Sequence, residues 1–117
     1  MKEEKIIENF TQELKRGIIT LNVLNELSEP EYGYSLASKL QEKGIEVEQN
    51  TLYPLLRRLE KQKLIESSWS LEGSRQRKYY SLNEKGKKVL EKLKLEWKKI
   101  VDSTNYLLDK ESKSEVD

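Results

Sequence analysis

A chain of 117 residues with 35% hydrophobic and 37% charged residues has room for one thin-cored domain and an extra helix or two, and a second copy would help bury its apolar faces. The absence of Cys and His removes disulfides, the usual zinc ligands, the commonest general base and the thiol nucleophile. The formal net charge is only +1, but residues 50–80 carry +4 and the rest −3, a local asymmetry suited to a polyanion as well as to an ordinary solvated face.

Residues 1–5 are polar and expected to fray. Ile7, Phe10, Leu14, Gly17/Ile18, Leu21 and Leu24 then recur at steps of three and four, which predicts one long amphipathic helix ending near Leu27. Pro30 closes it by disfavouring helical geometry at Glu29. A second helix is predicted from Tyr34 to Lys43, with Leu36, Ala37 and Leu40 on one face and Gly44 as its stop. A third runs from Gln49 to Lys63, with Leu52, Leu55, Leu56 and Leu59 inward and Pro54 in or just past its first turn.

Residues 64–69 read as a strand, Ser70–Gln76 as a loop, and Arg77–Leu82 as the returning strand, a hairpin with a long tip. Asn83 is suited to cap a last helix that reaches Leu108. In that helix Leu90, Leu93, Trp97, Ile100, Thr104 and Leu107 form a heptad seam, widened by Val89, Val101 and Leu108. About 25 helical residues span about 37 Å, more than the preceding domain can cover, so the surplus edge calls for a partner. Residues 109–117 read as a disordered tail.

This order predicts a mainly α (α+β) winged helix-turn-helix at 1–82, followed by a long C-terminal dimerisation helix at 83–108. The third helix is the expected reading head. Gln49, Asn50, Thr51 and Tyr53 lie at its N-terminal end, with Arg57 and Arg58 further on, where side chains reach base edges and phosphates. The alternative is that Asn50 or Thr51 caps the helix and Tyr53 packs. In the wing, Arg75, Arg77 and Lys78 are the expected contacts, although period two sets Arg77 with Tyr79 on one face and Lys78 with Tyr80 on the other.

Trp97 supports either an aromatic clamp between subunits or plain packing. The glutamates lie beside lysines at surface spacing, and the glycines form no phosphate cradle. No catalytic centre, metal site or cofactor is therefore expected. With neither a signal segment nor an apolar run long enough to span a bilayer, the expected setting is cytoplasmic, without membrane contact.

The run Thr51-Leu52-Tyr53-Pro54-Leu55-Leu56-Arg57-Arg58-Leu59-Glu60, followed by Leu64-Ile65 and Trp69, resembles the core signature of PadR-type transcriptional regulators. Tyr32-Gly33-Tyr34, Gly73, Arg77-Lys78-Tyr79-Tyr80-Ser81-Leu82 and Gly86 extend the likeness over roughly residues 14–100. The resemblance implies a homodimer that binds a pseudo-palindromic double-stranded operator, usually as a repressor, and whose first and last helices build the interface. That interface would hold Phe10, Leu14, Leu90, Leu93, Trp97, Ile100 and Leu107.

The single last helix is similar to the smaller subtype of the family. Drug-sensing members of that subtype carry a Trp at the place of Trp97 and hold flat aromatic compounds between paired tryptophans. Leu14, Ile18, Leu93, Trp97 and Val101 would line such a site. Two departures stand out: Lys63 replaces the Gly often found before the first strand, and Ser74 and Gln76 flank Arg75 where a wing-tip Pro is frequent. A protein–protein adaptor built on the same fold is the competing reading.

Overall fold

The structure is a computed structural model, with residues 2–109 described. In chain order it has α1 (Lys2–Arg16), α2 (Ile19–Glu26), β1 (Glu31–Tyr32), α3 (Gly33–Glu42), α4 (Gln49–Lys61), β2 (Ile65–Glu72), β3 (Arg75–Leu82) and α5 (Glu84–Leu108). The expected tail, 109–117, lies outside the described residues except for Asp109, which ends α5. The fold is the winged helix expected from the sequence: α3 and α4 form the helix-turn-helix, β2 and β3 the wing, and α5 the long final helix.

One leucine-rich core holds these elements together. Val23, Leu24 and Leu27, Leu36 and Leu40, and Leu52, Leu56 and Leu59 converge from α2, α3 and α4 onto Ile65, Tyr80, Leu82 and Leu90. Each fully buried leucine contributes about 1.5–3 kcal/mol, so the spacing of these leucines decides which helix faces turn inward.

The predicted single first helix is in fact two. It breaks at Gly17–Ile18, where Ile18 N–H donates to Lys15 O at 3.1 Å and the ladder resumes with Asn22 N–H on Ile18 O at 3.1 Å. Glycine lowers helix stability by up to about 1 kcal/mol, and here it makes room for a tight turn inside an unbroken apolar period. The first residues are helical from Lys2 rather than frayed, with Glu3 and Glu4 in the first turn and Lys15 and Arg16 in the last, matching the helix dipole.

The wing also departs from expectation. No long tip loop forms: β2 and β3 pair throughout, from Ile65↔Leu82 to Glu72↔Arg75, across the two residues Gly73 and Ser74. Gly73 has φ +63 at the first central position, where a type II′ hairpin turn calls for glycine. A third strand, β1, was not foreseen. It pairs antiparallel with β3 through Glu31↔Tyr80 and Tyr32↔Tyr79. Glu31 is 4% exposed, accepts the Ser35 hydroxyl at 2.7 Å, and pairs with Lys39.

Both helices of the head end in the same way. Ile45 N–H donates to Leu40 O and Gly44 N–H to Gln41 O; Leu64 N–H donates to Leu59 O and Lys63 N–H to Glu60 O. These are two Schellman caps, and each puts its penultimate residue in the left-handed region, Gly44 at φ +87 and Lys63 at φ +63. Asn83 then caps α5 as expected, its Oδ1 accepting Gly86 N–H at 2.8 Å while its Nδ2 donates to Lys63 O at 2.8 Å. The first turn of α5 fits tightly over this corner, since a Cβ at Gly86 would lie 2.0 Å from Leu64 O.

Candidate nucleic-acid interface

The buried leucines of α4 turn its other side outward, leaving Gln49, Asn50, Thr51, Arg57 and Arg58 exposed along the helix. Neither Asn50 nor Thr51 caps it. The N-cap residue is Glu48, in extended geometry, so both polar side chains stand clear of the helix end. Glu46 and Glu48 precede the helix and offset the attraction of its N-terminus for anions, leaving the positive charge to the arginines one to two turns on. Tyr53 takes the packing alternative: a Cβ on Gly33 would meet its hydroxyl oxygen at 2.3 Å, so its ring closes the α3–α4 crossing.

The three wing cations differ. Arg75 is exposed at the turn. Arg77 sits with its guanidinium 4.2 Å above the Tyr32 ring, its Nε 3.5 Å from Glu72 Oε2 without a hydrogen bond. Tyr32 and Tyr79 meet edge to face with centroids 5.4 Å apart, and the Tyr79 hydroxyl donates to Glu72, a bond that raises the phenol's pKa. Lys78 lies on the opposite face, 3.6 Å from Glu60 Oε1 and 5.4 Å from the Tyr80 ring centroid. The sequence reading gave all three wing cations to DNA; in the structure Arg77 and Lys78 already have intramolecular partners. Among the described residues Arg57, Arg58, Arg75 and Arg16 form no ion pair, and Arg16 was overlooked. Its signal was a basic last turn directly before Gly17.

Away from this face, all five residues proposed to hold a ligand do come together. Leu14, Ile18, Leu93, Trp97 and Val101 line one groove of about 630 Å³ between the α1–α2 break and α5. Nothing lies within 4 Å of a Cβ placed on Gly17, so the break keeps that wall open. Trp97 is 40% exposed, and its groove is otherwise mostly aliphatic, with Lys15 and Glu96 among its polar members.

The seam residues divide. Phe10 (61% exposed), Leu14 (78%), Ile100 and Leu107 have no cover. Leu90 is only 3% exposed and belongs to the core of its own chain, so it cannot join an interface; Leu93 is half-buried beside it. The first turns of α5 lie over α2 and the sheet, and only from Trp97 onward does the seam run past them. Among the described residues no acidic cluster could hold a metal ion, and no helix is long and apolar enough to cross a membrane.

Comparison with known proteins places this geometry. The profile of the transcriptional regulator PadR-like family matches residues 20–92. A PadR-family transcriptional regulator from Eggerthella lenta is 42% identical, covering 93% of this chain and 97% of that one with a TM-score of 0.89. A PadR-like transcriptional regulator from Bacillus cereus is 35% identical, covering 83% and 97%, with a TM-score of 0.75. The fold is also that of Bacillus subtilis PadR, whose structure was determined in complex with operator DNA, at 22% identity, 65% and 46% coverage and a TM-score of 0.60.

Proposed function

The chain belongs to the PadR-like family of transcriptional regulators, and on that premise we propose that it is a cytoplasmic homodimeric repressor released by a planar aromatic effector. The observation that carries this reading is a division of surfaces. Arg57, Arg58 and Arg75, exposed and without an ion pair among the described residues, stand on the reading helix and wing tip, while exposed apolar residues of α1 and α5 flank the Trp97 groove.

Residues 1–82 form the head, and 83–108 pair it with a second copy. Two heads so joined would set their α4 helices in successive major grooves, about 34 Å apart. Gln49, Asn50 and Thr51 would then approach base edges and phosphates, Arg57 and Arg58 the groove walls, and Arg75 the adjoining minor groove. Arg77 and Lys78 support the wing from within. Tyr53 holds α4 on α3.

The groove supports the effector part. It is mostly apolar, of a volume suited to a drug-sized molecule, and carries one aromatic side chain that a second copy would double. An effector releases DNA only if it binds the incompetent dimer better than the competent one, and a tenfold release needs about 1.4 kcal/mol of that preference. The α1–α2 break is suited to transmit it: Thr20 lines the apolar groove and also the flank of α4.

Duplexes from the gene's own promoter provide the test. A salt-sensitive, sequence-preferring complex is expected, weakened at least tenfold by Arg57→Glu or Arg75→Glu with dimerisation intact. Dyes that quench Trp97 fluorescence should release the duplex, with Trp69 as the internal reference in a Trp97→Phe variant. The intramolecular pairing of Arg77 and Lys78 favours the adaptor reading; unchanged function in both charge-reversed variants would establish it.

A further inference from the structure

We propose that a second phosphate-binding groove, built by Arg16 and Arg58, extends the DNA contact from the reading helix onto the α1–α2 corner. This rests on the DNA-binding reading above. The groove has a volume of about 490 Å³ and lies between the corner and the flank of α4, lined by Arg16, Thr20, Asn50, Thr51, Pro54 and Arg58 among others. Two arginines, two threonines and an asparagine therefore line one cleft, with Ile19, Pro54 and Leu55 between them. No carboxylate lines it; Glu8, Glu46 and Glu48 line the adjoining depression, which shares Arg16, Ile19 and Thr51 with it.

Both arginines are exposed, and neither forms an ion pair among the described residues, unlike Arg77 and Lys78 of the wing. An unneutralised pair of planar five-donor groups beside hydroxyls matches a phosphodiester, which accepts bidentate guanidinium bonds and carries no donor. The location identifies which phosphate. Asn50 and Thr51 begin the helix that reads bases, so a backbone seated here lies beside the same major groove. The break at Gly17 leaves Arg16 as the last residue of α1, next to Ile19 and Thr20 at the start of α2.

The test is the salt dependence of binding to an operator duplex, measured for the full chain with Arg16→Gln, Arg16→Lys and Arg58→Gln. Each phosphate contact contributes about 0.9 to the slope of log K against log salt, and a dimer carries each substitution twice. Arg16→Gln and Arg58→Gln should therefore each reduce the slope by about 1.8 and weaken binding roughly tenfold, equally for operator and scrambled duplexes. Arg16→Lys should restore the slope. Loss of affinity with an unchanged slope, or no change in either quantity while the wild type binds with strong salt dependence, overturns the groove and leaves the DNA reading standing. A wild type without any salt-sensitive complex overturns both.

Discussion

Lys63 holds a backbone conformation that lysine adopts at a cost. With φ +63 it occupies the Schellman position that Gly44 fills at the end of α3, and its carbonyl accepts from Asn83. Left-handed geometry disfavours a residue with a Cβ by about 1–2 kcal/mol, partly offset by the extra freedom glycine has when unfolded. Lys63→Gly should accordingly raise stability by roughly 0.5–1 kcal/mol, read from urea midpoints at unchanged m. A lower midpoint would mean that the lysine side chain contributes something the cap geometry does not. Two other residues couple stability to alkaline pH. Lys39 is held above its ordinary value of 10.5 by its hydrogen bond to buried Glu31 and by the attraction of that carboxylate, and Tyr79 above 10.0 by its bond to Glu72 and then by desolvation. In both cases the folded chain binds the proton more tightly than the unfolded one. The stabilisation is complete below the unfolded values and disappears as pH rises through the folded ones. Stability should therefore hold from about pH 7 to about pH 9 and fall above about pH 10, less steeply in Tyr79→Phe; equal slopes in the two proteins would contradict the assignment.

The elements differ in how fully they can explain their own existence. No residue of α1 is buried, yet Ile6, Ile7, Phe10 and Leu14 line it with apolar surface. A 15-residue helix is marginal in water without packing, so α1 depends on whatever covers that face. Phe10→Asp should weaken dimerisation at least tenfold and reduce helical ellipticity, while Leu90→Ala should cost the head about 2–5 kcal/mol and leave the association of folded chains near wild type. Sedimentation and circular dichroism separate the two, and the reverse pattern would return Leu90 to the interface. These elements also show where the sequence could be read. The α4 leucines have one periodicity and one use, so their burial was legible, as were the Asn83 cap and the Gly44 stop. The α1–α2 break was hidden because Gly17 interrupts the backbone without interrupting the apolar period. Only the tip of the wing was read as loop, because residues 70–76 lack β-branched side chains, whereas there the strands are held by cross-strand pairing and one glycine turn. Heptad spacing placed Leu90 on the seam without saying which surface covers it. Alternation put Arg77 and Tyr79 on one face correctly, but Tyr32 reaches Arg77 only through β1, a two-residue strand with no periodicity to detect. The five residues named for a ligand site do share one groove: the family resemblance supplied the expectation of a site, and helical phase chose the residues on its walls.

At the scale of the molecule, the chain is open. Its radius of gyration is 17.9 Å against about 13 Å for a compact domain of similar length, and its extents are 65 × 40 × 22 Å. The excess lies in helices whose apolar sides are uncovered, while the head has a closed leucine core. Association would cover these sides, and the proposed function requires it: paired α1 and α5 helices would hold two positively charged heads at the spacing of successive major grooves. Sedimentation velocity with and without an operator-length duplex tests that dependence directly. The expected result is a species of twice the 13.8 kDa chain mass that binds one duplex as a unit. A single chain at working concentration, unchanged when the duplex is added, would contradict it.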